Sequence, residues 1–146
     1  MSGESVATLR HELRRRQLPF DVESKFFRLG RQGYEQLLAM GQQGDGSELE
    51  LANALHLLVW MRFHGDREVL VKAITSTMSH ASELVRGAAV RSAIAIYRGV
   101  IGSKVDEHLL QHITSVAAAI RGAIGVGLAP DEGELAKHFL EREAKC

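Results

Sequence analysis

One internal match restricts the folds open to this chain more than anything else in it. Shifting the sequence by 35 residues lays Asp45 on His80, Glu48 on Glu83, Leu49 on Leu84, Ala54 on Ala89, Leu55 on Val90 and Val59 on Ile94. Each matched stretch reads as two amphipathic helices around a short polar turn. A helical hairpin has an apolar side it cannot bury alone, so hairpins recurring at such a period stack on their neighbours. The spacing predicts hairpin units over 34–64 and 67–101, and a weaker third over 104–144.

Along the chain, Val6, Leu9 and Leu13 recur at helical spacing and predict a capping helix over 4–16. Leu18-Pro19 ends it, because a residue before proline avoids helical angles. Asp21 is placed to N-cap a short second helix carrying Val22, Phe26 and Phe27. Gly30 and Gly33 interrupt the pattern, and Gly41, Gly44 and Gly46 mark a turn. Ser47 with Glu50 three residues on is a capping box. The helix after it, to about Phe63, is apolar nearly all round, from Leu49 through Trp60. A helix without a polar face belongs inside a protein, so this one is expected at the centre, covered on both sides. The next hairpin turns at 79–82 with Ser82 as N-cap, and its second helix carries small residues at Ala88, Ala89, Ser92 and Ala93. Gly102 is expected to stop it, and Ser103 with Asp106 to start a continuous helix that Gly122, Gly125 and Gly127 weaken at its end. Pro130 opens the last helix.

Composition removes several function classes. At 146 residues the chain suits one domain, 1–146, with a core of its own. Eighteen Lys and Arg balance eighteen Asp and Glu, so no overall field draws in nucleic acid or an anionic membrane. No apolar run approaches the ~18 residues that a membrane span needs, and the start lacks the apolar core of a secretory signal. The one cysteine, Cys146, permits no internal disulfide and suits a reducing cytoplasm.

Leu84-Val85-Arg86 followed by Ala88-Ala89 resembles the start of a second helix in the HEAT-like repeat family, and the likeness runs from about Tyr34 to Ile101. It implies an all-α, right-handed α-α superhelix of stacked helical hairpins, HEAT/armadillo-like, with about seven or eight helices. Such repeats carry an aspartate in the turn and an arginine in the second helix. Here the two are split between units, with His80 and Leu51 in the other slots, so the resemblance implies one structural ion pair, Asp45 to Arg86. The helical wheel independently puts Arg86 inside the apolar arc of its helix, where a charge must be paired. In solenoids the second helices line a concave surface. Arg91 and Arg98, seven apart with Gly87 and Ala95 beside them and Tyr97 at the border, are therefore the expected protein-binding strip. A solvated face is the plainer account of the same residues.

Chemistry-bearing patterns are sparse. His108 and His112 share a helix face at a spacing that can bind zinc, but Leu109 stands where a metalloprotease has glutamate, and no clear third ligand accompanies them. Ordinary exposed histidines explain the pair as well. Gly122, Gly125 and Gly127 follow a helix, whereas a phosphate-cradling loop follows a strand. Arg10, Arg14 and Arg15 form one basic strip, which a solvated capping helix also explains. No nucleophile arrangement can be named. The expectation is a non-enzymatic protein-binding module in the cytoplasm, without cofactor and with another protein as partner: an adaptor, an assembly subunit or a dedicated inhibitor of immunity type. A metal-binding protein or metalloenzyme using His108 and His112, and a weak nucleic-acid binder using the N-terminal arginines, stay open. A homodimer follows if a terminal helix proves apolar outside.

Overall fold

The computed structural model describes residues 5–101 and 107–142, excluding the side chains of 99–101, 107, 108 and 142. Among them there is no strand; the elements are α1 (Val6–Leu9), α2 (Phe20–Phe27), α3 (Gly30–Gln43), α4 (Glu48–Trp60), α5 (Arg67–Thr77), α6 (Glu83–Ile101), α7 (Glu107–Leu110), α8 (Ile113–Val126) and α9 (Pro130–Arg142). Tight 3-10 turns follow α1 at Arg10–Arg14 and α4 at Arg62–His64. No helix among the described residues is long and apolar enough to cross a membrane.

Local chemistry sets most of the boundaries. At α4, Glu50 N–H donates to Ser47 Oγ (3.3 Å) and Ser47 N–H to Glu50 Oε1 (2.8 Å), the capping box read in the sequence. Asp66 caps α5 by accepting from the Glu68 and Val69 amides, and Ser82 Oγ accepts from Val85 N–H at the start of α6. Gly30 (φ +61°) separates α2 from α3, and Gly44 (φ +63°) closes α3 in the left-handed conformation that a Cβ disfavours.

Several expectations are corrected. The capping helix over 4–16 is one α-turn followed by the 3-10 turn, because the Leu13 and Arg15 carbonyls accept from Asn53 Nδ2 of α4, at 2.7 Å each. Tertiary bonds, not helical ones, set the end of that segment. Asp21 lies in the first turn of α2, where the helix dipole favours a carboxylate; Pro19 holds the cap position. The helix expected to run unbroken towards Val126 is divided after Leu110, with α8 beginning at Ile113. Gly102, Ser103 and Asp106 lie outside the described residues.

The contacts sort into two rows. First helices meet first helices, α3 against α5 and α5 against α7 and α8; second helices do likewise, α4 against α6 and α6 against α9. The α4–α6 contact is the broadest, and the small buried residues Ala54, Ala89 and Ala93 let the two helices approach. Large fully buried side chains fill the space between the rows, among them Leu37, Leu55, Leu58, Leu70 and Phe139. α4 is not covered all round: Trp60 is 61% exposed, and Phe63 just beyond it 69%. The helix carries more apolar surface than the elements packed on it take up.

Candidate functional site

Arg86 is buried, as the wheel places it, but the predicted ion pair with Asp45 is not formed. Its Nε and Nη2 donate to the Gly127 carbonyl (3.0 and 2.8 Å), and Nη1 donates to the carbonyls of His80 (3.0 Å) and Ala81 (2.8 Å). Carbonyls at the α5–α6 turn and just after α8 thus take the place of a carboxylate, and the guanidinium fork ties the two turns together. Asp45 instead meets Arg10, through two hydrogen bonds of 3.2 Å. The turn that carries Asp45 faces the N-terminal segment, so that segment supplies its cation.

A second cluster grows from this contact. Glu50, 3% exposed, receives Arg10 Nε at 3.0 Å and Arg14 Nε at 3.4 Å. Burial pushes the Glu50 carboxyl up, but the Ser47 amide and the Arg10 and Arg14 guanidiniums outweigh it and hold it below its ordinary 4.5. Bonds to Asp45, then Glu50, raise the pKa of Arg10. Arg15 pairs with Glu12 at 2.7 Å, so each arginine of the expected basic strip faces a carboxylate of this chain. Glu50, Asn53 and His56, spaced three apart on α4, all serve one purpose. They bind Arg10 and Arg14, the carbonyls of Leu13 and Arg15, and Glu23 of α2 (His56 Nε2 to Glu23 Oε2, 2.6 Å).

The expected binding strip is only partly a surface. Tyr97 is fully buried and donates its hydroxyl to Leu109 O at 2.6 Å, so it borders no interface. Gly87 is buried too; a Cβ there would come within 3.1 Å of Glu132 Cγ, so α9 covers the room expected for a partner. Arg91 is half exposed and its Nε meets Glu132 Oε1 at 3.2 Å. Arg98 is exposed on the same helix.

Arg91 nevertheless lines a groove of about 670 Å³ bounded by α4, by α2 with the residues before it, and by α6. Phe20 (80% exposed), Trp60 and Leu84 (42%) open into it, with Arg16 at its rim. A smaller hollow of about 190 Å³ between α4 and α6 shares Ala52, His56, Trp60 and Arg91 with it and adds Val59, Ala88, Ser92 and Ala95. Exposed aromatic side chains gathered in one concavity mark an interaction site more often than chance exposure does. Sequence reasoning missed Phe20, His56 and Trp60. The signal was the surplus of apolar residues on α4, read as burial on every side.

His112 Nε2 lies 3.0 Å from Glu68 Oε1, and the His108 side chain is outside the described residues. Among the described residues no three His, Cys, Asp or Glu side chains cluster as metal ligands would.

Among the described residues, the fold is all-α, built of packed helical hairpins, with a groove in which Phe20, Trp60 and Leu84 are exposed. Compared with known proteins, the chain matches no family model, no curated protein and no solved structure.

Proposed function

We propose that this chain is a non-enzymatic protein-binding module, a HEAT-like stack of helical hairpins that holds another protein in the groove between α2, α4 and α6. The observation that carries the reading is the exposure of Phe20, Trp60 and Leu84 in one hollow, in a chain whose other large apolar side chains are mostly buried. The two rows of helices support the superhelical reading, since stacked hairpins put their second helices on one side. The expected site moves accordingly: Arg91 stays, as a polar neighbour of an apolar centre, while Tyr97 and Gly87 belong to the interior. Binding interfaces commonly have this composition, with aromatic anchors inside and arginine near the edge. A cytoplasmic setting goes with the reading, because a single cysteine makes no internal disulfide.

The test is affinity purification from the native host with mass spectrometry, comparing wild type with Trp60→Ala, Phe20→Ser and, as a control outside the groove, Val126→Ser. Loss of the same co-purifying protein from the first two variants but not the third is the expected result. Equal recovery by all of them removes the groove from the proposal.

A further inference from the structure

We infer that the hollow between α4 and α6 seats one neutral phenol group, a tyrosine side chain of the docked protein. The inference rests on the docking reading above and adds the chemistry of the anchor. Ser92 is the residue that points to a ligand. It lines the hollow and is only 5% exposed. On α5, Thr75, Ser76 and Thr77 satisfy their hydroxyls on carbonyls of their own helix. The Ser92 hydroxyl makes no such bond and has no partner among the described residues. Tyr34 carries the one side-chain polar atom there that is sealed away without a partner, so the Ser92 oxygen keeps its access to the hollow. A buried hydroxyl left unpaired is costly, and a guest that meets it gains accordingly.

The rest of the lining narrows the guest. Ala52, Val59, Ala88 and Ala95 are apolar, and Trp60 presents a ring that is mostly exposed. The two groups able to carry charge are already matched, His56 by Glu23 and Arg91 by Glu132. An ion entering here would give up water without gaining a counter-charge, so the guest is neutral. A purely apolar guest would cover the Ser92 hydroxyl and leave it unpaired. An amide brings more donors and acceptors than one hydroxyl can meet. A phenol answers both demands. Its ring packs on Trp60 and the alanines, and its hydroxyl gives or accepts one hydrogen bond at Ser92. Size agrees: a cavity of about 150 Å³ takes a benzene ring, and this hollow holds about 190 Å³.

The protein carries its own reporter, because Trp60 is its only tryptophan and its indole N–H gives a single NMR signal. The probe is N-acetyl-tyrosinamide. Two controls accompany it: N-acetyl-phenylalaninamide, which lacks only the hydroxyl, and N-acetyl-phosphotyrosinamide, which adds charge. The tyrosine compound is expected to shift the Trp60 signal saturably. It should bind the wild type about fivefold more tightly than the phenylalanine compound, the worth of one hydrogen bond, and more tightly than the phosphorylated one. Ser92→Ala is expected to erase the preference for tyrosine while still binding the phenylalanine compound as the wild type does. Equal binding of the tyrosine and phenylalanine compounds by the wild type overturns the inference. So does a preference that survives Ser92→Ala, tighter binding of the phosphorylated compound, or no shift with any of them.

A photo-crosslinker at position 95, an exposed alanine on the edge of the hollow, separates this inference from the reading beneath it when used in the native host. Adducts on another protein beside one of its tyrosines support both. Adducts on a segment without tyrosine overturn the anchor chemistry and leave protein docking standing, whereas adducts on a second copy of this chain, or on no protein, overturn both.

Discussion

Arg86 shows how a buried cation is tolerated without a carboxylate. Its four hydrogen bonds end on three carbonyl oxygens from two turns, so removing it leaves polar atoms without their partner as well as a void. Arg86→Ala is expected to cost about 2–3 kcal/mol in urea denaturation. Arg91→Ala, which breaks a half-exposed ion pair, is expected to cost under about 1 kcal/mol. Equal losses for the two variants would contradict this account. The two tyrosines make a second contrast. Tyr97 donates to Leu109 O, while Tyr34, 1% exposed, has a hydroxyl with no hydrogen-bond partner among the described residues, and burial pushes its pKa up. Tyr97→Phe should therefore lose about 1 kcal/mol, while Tyr34→Phe, which removes an unsatisfied buried group, should hold or raise the melting temperature. Destabilisation by Tyr34→Phe matching that by Tyr97→Phe would show that its hydroxyl has a partner after all. The wheel reads Arg86 as buried because the pattern of its own helix contains that information. Its partners lie 5, 6 and 41 residues away, where no periodicity points.

At the scale of elements, the N-terminal segment is a strap held across α4 by Glu50, Asn53 and His56. Its pH dependence follows from Glu50, whose carboxyl is held below its ordinary value in the folded chain. A depressed carboxylate contributes stability that is fully present above the unfolded pKa and disappears as pH falls through the folded one. Stability should then decline on acidification below about pH 4.5, more steeply in the wild type than in Glu50→Gln. Glu12, lowered by Arg15, acts in the same direction and is retained in both proteins. At neutral pH the variant should be less stable by roughly 1–3 kcal/mol, a gap that narrows towards pH 3 in denaturant titrations. Parallel pH profiles would mean that the cluster contributes nothing to folding. The capping box that starts α4 was legible three residues apart. That Glu50 also anchors Arg10, 40 residues earlier, was not, because the same carboxylate serves a local cap and a long-range pair.

For the molecule as a whole, stability and recognition should separate. Trp60 and Phe20 are mostly exposed, so Trp60→Ala should shift folding stability by less than about 1 kcal/mol while abolishing partner binding. Circular dichroism melts paired with the affinity purification check this; a variant that loses binding only because it unfolds would show it in the melt. Arg86→Ala is the converse, damaging the fold without touching the groove.

The sequence alone determined that the chain is all-α, that Ser47 and Ser82 cap their helices, and that Arg86 lies on the buried arc of its helix. These follow from i, i+3 and i+4 spacing and from capping chemistry, which act within a few residues. Only the tertiary structure decided that Asp45 meets Arg10, that α9 covers Gly87, that Tyr97 turns inward and that Trp60 is left at the surface. Periodicity says which residues share a face of one helix. Which neighbour covers that face, and how far along it the cover reaches, is settled by packing between elements distant in the chain.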